Sequence, residues 1–348
     1  MISIIICSKF SKLDEKLQQN IQSTIGCEYE IVHIDNSSKR FSIFEAYNLG
    51  VERAKGEFLC FMHEDVVFHS HNWGKTVEKH LSDDSVGALG IAGSQVVPPQ
   101  YDWRFYGNGT DIINLLQGTY TLEESPTYYV CYFPHKRKIH RSGKHLLQVA
   151  IIDGVWMCFR KELFSQIRFD DKSFHSFHLY DSDISMQVNK LGKNLYVVTD
   201  ILLEHKSEGY FSPEFEQGMT TFDNKWADFL PVVRGATFSK EEIYDNCKDS
   251  PNRYAQRVKY DLMYMNIRKL YSQRSEGMTV RDFTDEEMLF IKQSMFRYVK
   301  STIKNKRIPL FEVFRVVKKQ LRNPLLDHKD KLFWKFIWYR LFGVAYLI

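Results

Sequence analysis

The sequence has little of what marks several large protein classes. Its 348 residues include only 9 prolines and 18 glycines, against 44% hydrophobic and 26% charged residues, so it is neither disordered nor collagen-like. The six cysteines (Cys7, Cys27, Cys60, Cys131, Cys158 and Cys247) are nowhere closer than twenty positions apart, which excludes a CxxC redox or zinc-ribbon pair. Dispersed thiols in a chain of this length predict reduced, partly buried side chains of an intracellular protein. No run of eighteen uninterrupted apolar residues occurs, so no transmembrane helix is expected. The opening MISIIICSKF is apolar for a few residues only and has neither a basic leader nor a cleavage site. It reads as a buried strand rather than a signal peptide. Signatures of RRM, KH or helix-turn-helix modules are missing, so nucleic acid is not an expected partner.

What is present begins with length, enough for one large or two smaller domains. The formal net charge of +4 averages two unlike parts. Residues 1–239 carry 24 basic and 30 acidic side chains, a net of −6, whereas residues 240–348 carry 23 and 13, a net of +10. A neutral-to-acidic body with a basic tail points to an anionic surface as partner.

Along the body, apolar runs alternate with helical spacing. Ser3 to Cys7 is a β-branched strand, residues 12–22 a polar helix, and Tyr29 to Ile34 a second strand ending in Asp35-Asn36-Ser37. Residues 42–55 place Ile43, Ala46, Tyr47, Val51 and Ala54 on one helical face, stopped by Gly56. Glu57 to Met62 is a third strand running into His63-Glu64-Asp65. This order predicts an α/β fold with parallel strands and right-handed crossovers, whose ligands sit beyond the strand carboxyl ends. The glycine spacing of residues 86–97 predicts close packing or a loop rather than a clean strand. An elaborated loop region that can include short strands is expected over 98–148, a short helix over Glu162 to Ile167, and a helix from the Asp181-Ser182-Asp183 run to Lys190, stopped by Gly192. Strands are expected at Leu195 to Val198 and towards His205.

Three polar clusters carry chemistry. Adjacent carboxylates beside an imidazole in His63-Glu64-Asp65 suit a hard or borderline divalent ion, although a solvated strand end explains them equally. Asp181 and Asp183 begin a helix. Two aspartates spaced by two cannot both cap it, which leaves one for general-base work. His205 follows an apolar strand, where a histidine is a packing residue or a further metal ligand.

The order of these strings resembles the family 2 inverting glycosyltransferases of GT-A fold over about residues 1–210. SIIICSK is similar to the first nucleotide-binding strand, HIDNSS to the family's V-D-N-x-S turn, and EAYNLGVERAKGEFLCFMHEDV to its N-x-G segment and D-x-D strand. FHLYDSDISMQVNKLGKNLYVV is similar to the E-D helix block and EHKSEG to the terminal histidine motif. His63-Glu64-Asp65-Val66 matches a subgroup with His-x-Asp-Val in place of D-x-D. The resemblance implies a mixed sheet flanked by helices, and the change of character at Ser239 divides the chain into a catalytic domain over 1–238 and a basic helical region over 239–348. It implies nucleotide-sugar contacts at Ser8, Asp35, Asn48, His63 and Glu64, with a UDP-sugar favoured. Asp65 and His205 become ligands for Mn²⁺ or Mg²⁺. Asp181 becomes the catalytic base, and Asp153, Trp156 and Asp183 line the acceptor end, where a glycan or lipid-linked hydroxyl binds. Two positions depart from the pattern. His63 replaces the first aspartate of D-x-D, and Tyr180 replaces the glutamate beside Asp181.

The tail reads as helical. Ser239 with Glu242 and Thr284 with Glu287 form capping boxes, and Ser250-Pro251 opens another helix. Residues 292–340 hold fourteen basic and three acidic side chains, and KLFWKFIWYRLFGVAYLI interleaves aromatics with Lys331, Lys335 and Arg340. A basic, Trp- and Phe-rich helix fits a lipid headgroup interface; the alternative is a helix docked on the body. The expected function is sugar transfer in bacterial surface polysaccharide synthesis, cytoplasmic and peripheral on the inner face of the membrane. The alternatives are a non-catalytic carbohydrate-binding scaffold or a nucleotidyltransferase. The latter needs a Gly-rich basic loop after the first strand, which SKFSKLDEK lacks.

Overall fold

A computed structural model describes residues 1–99, 110–120, 126–132, 145–207 and 213–247. Trp103, Ser250-Pro251, the Thr284–Glu287 capping box and the aromatic-basic tail lie outside them. In chain order the elements are β1 (Ile2–Ser8), α1 (Glu15–Thr24), β2 (Tyr29–Asp35), α2 (Ile43–Arg53), β3 (Phe58–Met62), β4 (Val66–Phe68), α3 (Trp73–Leu81), β5 (Val86–Gly90), β6 (Ala92–Ser94) and β7 (Val96–Val97). There follow β8 (Asp111–Ile113), β9 (Leu115–Tyr120), β10 (Pro126–Tyr132), β11 (Leu146–Val149), β12 (Ile151–Ile152), β13 (Trp156–Arg160), α4 (Tyr180–Lys190), β14 (Asn194–Val198), β15 (Leu203–His205), α5 (Pro213–Trp226), β16 (Val232–Val233) and α6 (Lys240–Cys247). The chain divides into two compact units, residues 1–117 with 132–257 and residues 118–131 with 258–348. Every side chain discussed below belongs to the first.

The central sheet has the order β11-β14-β5-β13-β3-β1-β2. β1 runs parallel to β2 and β3, and β14 parallel to β5, whereas β13 is antiparallel to both β3 and β5. The sheet is therefore mixed, as a GT-A fold requires, and helices flank it. Strand interiors are buried on both faces, which is why Ile2, Ile4, Ile5 and Ile6 follow one another almost without a polar break. Capping explains the helix starts. The Asp14 side chain accepts the Lys16 N–H, and Ser42 and Glu45 bond each other's backbone N–H in a capping box. Ser239 and Glu242 do the same before α6, as expected. Gly192, at φ +72°, ends α4 in the left-handed region that favours glycine.

The segment 86–97 corrects the expectation of a loop. It forms β5, β6 and β7, and β5 lies inside the sheet. Its glycines serve packing. A Cβ on Gly90 would lie 2.7 Å from Ile152 Cβ, and one on Gly93 would collide with the Ile151 carbonyl oxygen. The short helix expected at Glu162 to Ile167 is a 3₁₀ turn, Lys161–Ser165. In a small second sheet β15 lies between β4, to which it is antiparallel, and β9, to which it is parallel. Cys7, Cys27, Cys60 and Cys158 are free thiols. Among the described residues no helix is long and apolar enough to cross a membrane.

Candidate active site

The parallel register aligns the carboxyl ends of three strands. Ser8 at the end of β1 pairs with Asp35 at the end of β2, and β3 ends at Met62 opposite Trp156 of β13. One residue on, the His63 N–H donates to the Val155 carbonyl at 3.1 Å, so the chain leaves the sheet there. β4 then pairs with β15, placing His205 opposite Val66, and the Lys206 N–H donates to the Asp65 carbonyl at 3.0 Å. Two three-residue strands thus carry His205 to a motif 140 positions upstream in sequence.

The result is a cluster of three donors. His63 Nδ1 lies 3.3 Å from His205 Nε2, and Asp65 Oδ1 lies 3.4 Å from the same nitrogen. Their ligand atoms all lie within 4.8 Å of one another. His205 is buried, while His63 and Asp65 are half-buried. Burial and the neighbouring His205 push the His63 imidazole down to about 4, so at neutral pH it is an uncharged lone-pair donor. Burial acts to raise the Asp65 carboxyl, but hydrogen bonding and charge from His205, with help from Ser207 and His63, hold it well below the usual carboxylate range. A carboxylate and two imidazoles form a ligand set for a first-row divalent ion. Separations of 3.3 and 3.4 Å between donor atoms are of the size that a shared ion with arms of about 2.1 Å requires. His63 therefore falls in the metal-ligand cluster, whereas the resemblance placed it among the nucleotide-sugar contacts and gave only Asp65 and His205 to the metal.

Other expected residues distribute unevenly. The Ser8 hydroxyl donates to a Glu64 carboxylate oxygen, so these two adjoin the cluster's strand. Asp35 is exposed, its carboxylate accepting the Ser37 N–H at 2.9 Å. Asp153 is half-buried, accepts the Val155 N–H at 3.0 Å, and lies close enough for its charge to favour the protonated His63. Asp181 is buried and accepts the Gly154 N–H at 3.0 Å and the Ser182 N–H at 2.7 Å. Neither Asp181 nor Asp183 caps α4, whose N-cap is Leu179 in the left-handed region with no side-chain bond.

Three expected residues do not join the site. Asn48 donates to the Phe169 carbonyl at 2.8 Å and to Asp171 at 3.1 Å, tying α2 to the loop before α4. Trp156 is fully enclosed and packs edge-on against Trp73 at 6.3 Å, a core position out of reach of an acceptor sugar. Asp183 is 0% exposed and pairs with Lys225 at 2.7 Å and Trp226 Nε1 at 2.9 Å, so it too faces the interior. Burial outweighs the opposing Lys225 and pushes its carboxyl up.

Sequence reasoning gave no site role to Tyr180, whose hydroxyl lies 2.8 Å from His63 Nε2, or to Phe177, 54% exposed and 5.8 Å from the His63 ring. The aromatic-polar run 174–183 was the available signal, but nothing in it says which ring reaches the cluster.

With the geometry in place, comparison with known proteins is informative. Curated proteins include no match to the sequence. Several solved structures are similar. GalNAc-T7, crystallised with UDP, GalNAc and Mn²⁺, shares 14% identity over 76% of this chain and 58% of its own, with a TM-score of 0.40. The chain thus spans less than two thirds of that relative. The mannosyltransferase PcManGT from Pyrobaculum calidifontis, in complex with GDP-Man and Mn²⁺, shares 12% over 73% and 75%, with a TM-score of 0.37. S. aureus TarS 1-349 in complex with UDP-GlcNAc shares 13% over 99% and 93%, with a TM-score of 0.40. Likeness at this level carries no argument about chemistry. The sequence model described as "Glycosyltransferase like family" matches residues 3–221, a span that takes in every strand of the central sheet and all three residues of the cluster. By that match the chain belongs to the glycosyltransferase-like family.

Proposed function

We propose that the protein transfers a sugar, with inversion, from a nucleotide-sugar to a hydroxyl of a glycan or lipid-linked acceptor. The convergence of His63, Asp65 and His205 beyond β3, beside the aligned ends of β1 and β2, carries this reading. Ser8, Asp35 and Glu64 form the nucleotide side, and a UDP-sugar is the favoured donor. His63, Asp65 and His205 hold Mn²⁺ in preference to Mg²⁺, because two of the three donors are imidazole nitrogens and Mg²⁺ prefers oxygen. When bound there, the ion neutralises charge on the departing diphosphate.

Asp181 takes the acceptor hydroxyl proton. The oxygen attacks the anomeric carbon as its bond to the diphosphate breaks, and a single displacement inverts the centre. A second assignment of the base has its own support. Asp181 is buried and its oxygens accept two backbone N–H groups, whereas Asp153 is half-buried and adjoins His63. The basic tail holds the catalytic unit, residues 1–238, at the anionic inner face of a bacterial membrane, where surface polysaccharide is assembled.

The test is thermal unfolding of the full chain with Mn²⁺ and each of UDP, GDP and dTDP. A rise in melting temperature that needs both Mn²⁺ and one nucleotide is expected. No shift with any of the three sinks the nucleotide-sugar reading.

A further inference from the structure

Tyr180 stands where the family resemblance expects an acidic residue, and its hydroxyl points at the cluster. The ring is 4% exposed and is packed edge-on against Phe44, Tyr47 and Phe177, with centroids at 6.3, 5.5 and 6.0 Å. The hydroxyl lies 2.8 Å from His63 Nε2, the ring nitrogen on the far side from His205. It is also hydrogen-bonded to the buried Tyr47 hydroxyl.

Proton counting turns this into a direction. A neutral imidazole has one N–H, and a phenol has one O–H. If Tyr180 gives its proton to Tyr47, its oxygen accepts from His63 Nε2–H. That fixes the histidine tautomer with the Nδ1 lone pair aimed at Asp65 and His205. The backbone is shaped to keep the phenol there. A Cβ on Gly154 would collide with the Tyr180 hydroxyl oxygen, so only glycine leaves it room. Asp181, the next residue, holds the Gly154 N–H at 3.0 Å.

We propose that Tyr180 is a positioning residue for the His63–Asp65–His205 centre, orienting His63 and fixing its tautomer so that Nδ1 is presented as a metal ligand. The inference rests on reading that cluster as a metal centre. It adds a neutral partner for the ligand histidine, where such partners are often carboxylates. A neutral partner leaves the charge of the centre to Asp65 alone.

The experiment measures Mn²⁺ binding to the full chain from the electron paramagnetic resonance signal of free Mn²⁺, with no substrate present. Wild-type protein is expected to bind one ion, and His205→Ala to lose it. Tyr180→Phe, which removes one oxygen and keeps the ring, is expected to bind about 10–100-fold more weakly, the usual loss when the partner of a ligand histidine is removed. Its near-ultraviolet circular dichroism should stay that of the wild type, which separates a tautomer effect from loss of packing. Gly154→Ala, which displaces the hydroxyl without removing it, is the second variant and should weaken binding in the same direction. Wild-type affinity in folded Tyr180→Phe overturns the role of Tyr180 and leaves the metal centre standing. Failure of the wild-type chain to bind Mn²⁺ overturns both.

Discussion

The Lys225→Met variant tests how α5 is bound to the start of α4. Asp183 is fully buried and accepts from Lys225 Nζ at 2.7 Å, Trp226 Nε1 at 2.9 Å and Gln187 Nε2 at 2.8 Å. Lys225 Nζ also lies 2.6 Å from Asp170. Removing the ammonium leaves a buried carboxylate without a counter-charge, a loss of about 3–5 kcal/mol for such pairs. The chain can limit that loss by protonating Asp183. From an ordinary value of 3.8, holding it neutral at pH 7 costs about 4.4 kcal/mol, at 1.36 kcal/mol per pH unit. At pH 5 the same proton costs about 1.6 kcal/mol.

The sign follows from linkage. A carboxyl raised in the folded state binds more protons there than in the unfolded chain, so stability falls as pH rises above 3.8. Asp170 behaves oppositely. Burial acts to raise it, but Lys225 and Ser173 hold it at about 2, so its contribution is present above 3.8 and is lost as pH falls towards 2. Between pH 5 and 7 the Asp170 effect is constant, and the change across that interval isolates Asp183. Urea unfolding followed by circular dichroism should therefore show a loss of about 4 kcal/mol at pH 7 that is smaller at pH 5. In melting temperature the pH 7 loss is about 8–16 °C. Lys225→Met with Asp183→Asn should recover most of it, since the amide still accepts from Trp226. A loss below about 1 kcal/mol, or one equal at both pH values, refutes the reasoning.

Two further outcomes follow from the site and the tail. Asp181→Asn is expected to reduce turnover by about 10²–10⁴-fold while nucleotide-sugar binding persists. Asp153→Asn with that loss and Asp181→Asn without it moves the base to Asp153, and full activity in both variants removes the base assignment altogether. Deleting residues 326–348 should release the protein from vesicles containing anionic lipid in a sedimentation assay, and unchanged binding rejects the membrane reading of the tail.

Much of the fold was legible because local pattern and global role agree. The β-branched run at Ser3 to Cys7, the Ser239–Glu242 box and Gly192 each encode their element by short-range physics, and each appears where expected. The segment 86–97 was half legible: the close packing expected at its glycines is there, but in strands rather than a loop. Glycine weakens a strand in isolation, yet at Gly90 and Gly93 the missing side chain lets neighbouring segments approach. Trp156 and Asp183 were misplaced because a residue's neighbours in sequence do not say which way it points. Trp156 turns to Trp73, and Asp183 turns to a lysine on a helix more than thirty positions away.

The sequence by itself determined the alternation of strands and helices, the family, and the clusters at the strand ends, because these depend on periodicity, caps and motif spacing. Only the tertiary structure decided that His63 stands with Asp65 and His205, that Tyr180 reaches the far side of its ring, and that Asn48 serves a loop. Those are facts of distance and orientation between side chains far apart in sequence. They are set by β4 pairing with β15 and by a glycine that leaves room for a phenol, and no local pattern encodes either.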